Sequence, residues 1–175
     1  KISVIPNGVD TQKFFRVDRA ASREQLGLPQ AKIILAVGRL EPVKGFELLI
    51  KALQKLFVDE EKKAALLVIV GEGSERAGLE KLIAKLHLQE HVRLVGARPH
   101  GELKQWYNAA DCLCLASERE GWPNVVLEAF ACGTPVVATD IWGMREVIPN
   151  DALGVLTERD ESHLARALAC ALKKN

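Results

Sequence analysis

Apolar positions along this chain fall into two alternating patterns. Short runs of about five to seven residues, rich in β-branched side chains, are followed by longer stretches with an apolar residue every three or four positions. That alternation predicts a parallel sheet covered by helices. Strands are expected at Ile2–Ile5, Ile33–Val37, Leu66–Val70, Val92–Leu94, Cys112–Leu115, Val136–Ala138 and Gly154–Leu156. Most are continuous apolar runs, as suits strands buried on both faces. Phe46–Leu56 puts Phe46, Leu49, Ile50, Leu53 and Leu56 on one helical stripe, and Leu79–Leu86 and Leu164–Leu172 repeat the pattern. Gly101–Ala110 and Asn124–Ala131 complete the helices, with Ser162 placed as the N-cap of a last helix reaching Lys173. No repeat, low-complexity tract or linker interrupts the order. The expectation is one doubly wound α/β domain over residues 1–175.

In such sheets ligands bind where strands end and loops lead into helices. The loops "GRLEPVKGF", "GEGSER", "GARPHGEL", "SEREGWPN" and "TDIWGMRE" each follow an expected strand, so together they describe a cleft along one sheet edge. Within Asn124–Ala131 the neighbours of Glu128 are apolar, leaving a polar stripe of Asn124 and Glu128 only. A carboxylate at the edge of a buried helix is costly without hydrogen bonds. Sugar hydroxyls would supply them; so would water or a neighbouring arginine, and the pattern alone leaves these open. Pro123 fits the first helical position and Gly121 permits close backbone approach, so the turn from Gly121 to Asn124 offers a helix N-terminus to an anion. Glu128 lies about one helical turn inward, roughly 5–8 Å, and Glu120 stands on the strand side of the turn. Arg39 directly after a strand and Lys44 at the head of the next helix can converge on the same anion. "GEGSER" lacks the third glycine of the dinucleotide fingerprint and reads as a tight turn, which sets aside a nicotinamide-dependent enzyme.

Composition narrows the classes. Lysines and arginines number 24 against 23 acids, a net charge of +1, so no global field recruits nucleic acid or an anionic membrane. Cys112, Cys114, Cys132 and Cys170 form no CxxC pair and have no histidines at zinc spacing, and are read as reduced core residues. His87, His91, His100 and His163 are scattered, make no metal set and are assigned surface roles. No run of about 18 apolar residues is present to span a membrane, and no signal peptide is visible. A cytoplasmic location is expected, with peripheral contact at the inner face of a membrane left open. The abrupt strand-like start at Lys1, with Met144 as the only methionine, gives the impression of a piece of a longer protein.

Taken together, "PNGVD", "VGRLEPVKG", "VGEGSE", "VRLVGARPHGEL", "YNAADCLCLASEREGWPNVVLEAFACGTPVVATD" and "GMREVI" resemble, in order, the C-terminal donor-binding domain of retaining GT-B glycosyltransferases of the group 1 family. The Glu-x7-Glu spacing of Glu120 and Glu128 is the most specific element. The resemblance implies a Rossmann-like half of a two-domain enzyme that moves a sugar from a UDP-, GDP- or ADP-sugar to an acceptor not identified by the sequence, with retention and without a metal cofactor. It further implies that Arg39 and Lys44 hold the diphosphate, with the turn Gly121, Trp122, Pro123 and Asn124 completing the anion site. Glu128 would receive the ribose and Glu120 the donor sugar, so that Arg39, Lys44 and Glu120 are the catalytic candidates. The acceptor domain would be an N-terminal one outside this chain, leaving these residues able to bind donor and catalyse little. A non-catalytic nucleotide-binding or regulatory module on the same fold is the alternative. Two departures stand out: Trp122 replaces the family's usual phenylalanine, and Trp142, before Gly143, replaces a common glycine.

Overall fold

The computed structural model describes residues 7–57 and 65–173. The strand expected at Ile2–Ile5 lies outside the described residues. Among the described residues six strands form one parallel sheet: β1 (Lys32–Val37), β2 (Ala65–Val70), β3 (Val92–Leu94), β4 (Cys112–Leu115), β5 (Val136–Thr139) and β6 (Gly154–Thr157), in the order β3-β2-β1-β4-β5-β6. Every residue of β2, β4 and β5 is buried, whereas β3 and β6, at the two edges, are buried at one position each. Burial along each strand thus follows its place in the sheet, because only inner strands are covered on both faces.

Among the described residues seven α-helices cover the sheet: α1 (Arg19–Gln25), α2 (Phe46–Leu56), α3 (Arg76–Lys85), α4 (Leu103–Ala109), α5 (Asn124–Ala131), α6 (Met144–Val147) and α7 (Glu161–Lys173). Side chains of α2, α3 and α7 pack on one face, and those of α4, α5 and α6 on the other with Phe14 and Leu28 from either side of α1. The helix expected over Gly101–Ala110 is shorter, since His100–Glu102 is a 3-10 turn and Ala110 is already extended. Ser162 does not cap α7; Asp160 does, its carboxylate accepting from the amides of Ser162 and His163. Helix α1 is absent from the sequence expectation because its face is polar. It is started by Asp18, which accepts from the Ala21 amide, and its Arg23 reaches Asp111 at 2.8 Å. Asp111 is only 2% exposed and also accepts from Arg19 and from the Ile33 amide, tying α1 and β1 to the start of β4. Cys112, Cys114 and Cys132 are buried as expected, but Cys170 is exposed on α7.

Candidate functional site

The chain runs outward from β1 to β2 and β3, then crosses back to place β4 on the other side of β1. Loops after β1 and β4 therefore diverge at a crevice, the switch point where doubly wound sheets take ligands. Backbone bonds stitch this edge together: Leu40 to Glu72, Glu75 to Leu40, Gly71 to Gly96, and Glu118 to Val43 across the switch point. Gly45 makes the last approach feasible. It holds a φ of 69°, and a Cβ there would stand 2.1 Å from the Ala116 carbonyl oxygen, so only glycine lets α2 begin against the end of β4.

At the crevice Lys44 donates to both carboxylate oxygens of Glu120, at 2.8 and 2.9 Å, and the Ser117 hydroxyl donates to Oε1 at 2.6 Å. Two residues 76 positions apart, expected at one site from their loops, meet there. Arg39 does not join them. It lies on the rim, its side chain 77% exposed, paired with Glu41 at 3.0 Å. Ser117, fully buried, was not singled out in the sequence, although its position three residues before Glu120 put it within reach.

Glu128 is 6% exposed, and its partners are ones the sequence reading did not name: the Tyr107 hydroxyl donates to Oε2 at 2.7 Å and His100 Nε2 meets Oε1 at 2.8 Å, with no arginine pairing with it among the described residues. Burial above all, then the Glu128 charge, pushes the Tyr107 phenol far above its ordinary value, so it remains a neutral donor. His100, assigned a surface role, is 63% exposed yet covers the carboxylate from the cleft side, its ring edge-on to Phe14 at 5.0 Å. Tyr107 was hidden by its apolar neighbours in α4, where an aromatic reads as core. Helix α5 is also less enclosed than expected, with Val125, Leu127, Phe130 and Ala131 partly exposed while Glu128 is buried.

In the turn between the two acids, Pro123 is the N-cap of α5 rather than its first residue. The Asn124 amide donates to the Trp122 carbonyl at 3.0 Å and is engaged within the turn, whereas the amides of Gly121, Trp122 and Val125 make no backbone hydrogen bond among the described residues. No protein atom lies within 4 Å of where a Cβ on Gly121 would be, which leaves the space above the turn open. Trp122 packs on the core below and its indole donates to the Asn7 carbonyl at 3.1 Å. Where β6 leads into α7, Glu158, Asp160 and His163 bring ligand-type atoms within 4.8 Å of one another. These groups are partly or fully exposed, and Asp160 is already engaged as the cap of α7.

A parallel sheet in this strand order, with a lysine, two carboxylates and a helix N-terminus near its switch point, defines a doubly wound α/β domain. Residues 18–175 match the family described as Glycosyl transferases group 1, and the chain belongs to that family. A D-inositol 3-phosphate glycosyltransferase from Streptosporangium roseum is 35% identical over 178 residues, covering 97% of this chain and 41% of its own length. The chain thus spans about two fifths of that relative. Sucrose-phosphate synthase from Thermosynechococcus elongatus superposes with a TM-score of 0.87 at 32% identity, over 97% of this chain and 43% of that one. HepE of Anabaena, solved in complex with UDP-glucose, superposes with a TM-score of 0.87 at 28% identity, over 98% and 48% of the two chains. The fold is that of the Rossmann-like C-terminal domain of GT-B glycosyltransferases. Among the described residues no helix is long and apolar enough to cross a membrane.

Proposed function

We propose that this domain binds the nucleoside diphosphate of a sugar donor across the crevice between β1 and β4, and that the longer protein transfers the sugar to an acceptor with retention of configuration. The observation that carries the reading is the meeting of Lys44 and Glu120 at the switch point, with Glu128 buried one helical turn beyond. The diphosphate takes Lys44 and the Gly121 and Trp122 amides, Arg39 swings from Glu41 to join them, Glu128 accepts from the ribose and Glu120 from the donor sugar. Breaking the glycosyl–phosphate bond develops negative charge on the leaving diphosphate, which these fixed cations and amides stabilise. The chemistry needs no metal ion on this account, and holding the donor in place accounts for part of the rate. The acceptor is held by an N-terminal domain beyond these residues. HepE, solved with UDP and with UDP-glucose, supports a uridine donor as the first to be tried.

A thermal-shift panel of UDP, GDP and ADP with their sugars tests the reading, since a ligand of the folded state raises its melting temperature. One of the three is expected to raise it, the shift disappearing in Arg39→Ala and Glu128→Ala and surviving EDTA. No shift with any of them at millimolar concentration overturns it.

A further inference from the structure

Trp142 is 86% exposed, the most open of the large apolar side chains among the described residues, and the donor reading gives it no task. A tryptophan left in water forgoes the largest apolar burial any residue offers, and its indole face is open to contact. Trp142 is not on a loose tip. The Ile141 amide donates to the Thr139 carbonyl and the Met144 amide to the Ile141 carbonyl, closing the turn beneath it, and Met144 and Val147 anchor α6 in the core. Gly143, at a φ of 81°, turns the chain directly after it, and Arg145 braces the loop by a two-point ion pair to Asp140.

This turn is continuous with the donor cleft. It follows β5, the neighbour of β4, and the Thr139 hydroxyl donates to the Ser117 carbonyl at 2.6 Å. Ser117 is the residue whose hydroxyl holds Glu120. Beside Trp142 lies an open hollow of about 500 Å³ bounded by Asp140, Ile141, Gly143, Arg145 and Glu146. An indole face, two carboxylates and a guanidinium match one ligand chemistry: a sugar ring, whose C–H face stacks on the aromatic while its hydroxyls exchange hydrogen bonds with both charge types. A lipid surface fits poorly, because the loop mixes acids with one arginine and offers no basic cluster.

We propose that Trp142, with Asp140 and Arg145, forms a pyranose-binding subsite on the rim of the donor cleft. The ring belongs either to the donor sugar or to a glycoside acceptor; the proposal rests on the donor reading only for the first of these. The protein has three tryptophans, of which Trp106 is buried and Trp122 bonded to Asn7, so Trp142 has its own indole N–H signal, assigned as the one missing in Trp142→Phe. That signal is followed while 15N-labelled protein is titrated with UDP, UDP-glucose, UDP-N-acetylglucosamine, GDP-mannose, and methyl glucoside and mannoside at high millimolar concentration. If the donor sugar is the occupant, a sugar nucleotide moves the signal more than its bare nucleotide does, and binds Trp142→Ala roughly five-fold more weakly, the scale of one aromatic contact. Bare nucleotide then binds both proteins alike, and Trp142→Phe recovers part of the loss. A shift with the methyl glycosides alone assigns the ring to an acceptor. If UDP or GDP binds by calorimetry but no sugar moves the Trp142 signal, the subsite is refuted and the donor reading stands. If no nucleotide binds yet a glycoside shifts the signal, the donor reading falls and the subsite stands; silence in every arm refutes both.

Discussion

Tyr107→Phe removes a single oxygen from the least accessible part of the site. The phenol donates to Glu128 at 2.7 Å, and the two residues are 0% and 6% exposed, so no water takes its place without a path through the core. Hydrogen bonds to charged groups contribute about 1.5–3 kcal/mol, and an acceptor stripped of its donor in a dry site falls at the upper part of that range. A loss of about 2–3 kcal/mol is expected, which for a domain of this size lowers the melting temperature by roughly 4–12 °C. His100 offers the internal control. It meets the same carboxylate at 2.8 Å, but its side chain is 63% exposed and water replaces it readily, so His100→Ala is expected to cost no more than about 1 kcal/mol. Urea denaturation followed by circular dichroism measures both, and a cycle with Glu128→Gln isolates the Tyr107–Glu128 coupling. A Tyr107→Phe protein within about 0.5 kcal/mol of the parent, or a His100→Ala protein damaged as badly, would refute the view that burial decides the strength of these two contacts.

Three other outcomes are expected. Asp111→Ala leaves the 7% exposed Arg23 without its carboxylate and should cost about 3–5 kcal/mol in chemical denaturation, a cost under 1 kcal/mol being incompatible with its role as a pin. Burial pushes the thiol of Cys112 up to about 12 and that of Cys132 up to about 11, with Cys114 also well above its usual 9.0. The unfolded chain therefore sheds these protons first, so stability present below pH 9 declines as pH rises towards 11–12, and at pH 8 a thiol reagent should modify Cys170 alone in the native protein. Glu120→Gln frees Lys44 from a competing carboxylate and should tighten UDP binding about two- to five-fold by calorimetry while impairing sugar transfer in the full-length enzyme; weaker UDP binding would contradict the exchange of partners proposed for Lys44.

The six strands among the described residues were legible because a strand covered on both faces has no choice but to be apolar along its length, as in "ALLVIV" of β2. Helix α1 was not, because what holds it is an ion-paired face directed at Asp111 rather than an apolar stripe. The same blindness applied to the site. Glu120 and Lys44 could be placed from the loops that carry them, since a parallel sheet gathers all such loops on one edge. Their partners could not: Tyr107 and Glu128 are 21 positions apart, His100 and Glu128 are 28, and nothing in spacing alone couples a 3-10 turn after β3 to the second turn of α5. Arg39 shows the opposite failure. Its loop was expected to bring it together with Lys44 on one anion, but its side chain stands 77% exposed and is paired with Glu41, a near neighbour in the chain.

The two acids of the Glu-x7-Glu motif carry their charges in different ways. Glu120 is matched by a lysine, so its charge is compensated by a group that can turn to a phosphate. Glu128 is held by a neutral phenol from within and an imidazole from the rim, and among the described residues no lysine or arginine pairs with it. A buried carboxylate without a fixed cation repels phosphate and favours hydroxyl donors. On the proposed reading the diphosphate is therefore driven toward Lys44 and the loop after β1, while hydroxyls are drawn toward Glu128 at the α4–α5 side. A chain with lysine at position 100 or 107 in place of these donors would lose that polarity, and with it the discrimination between the phosphate and ribose ends of one molecule.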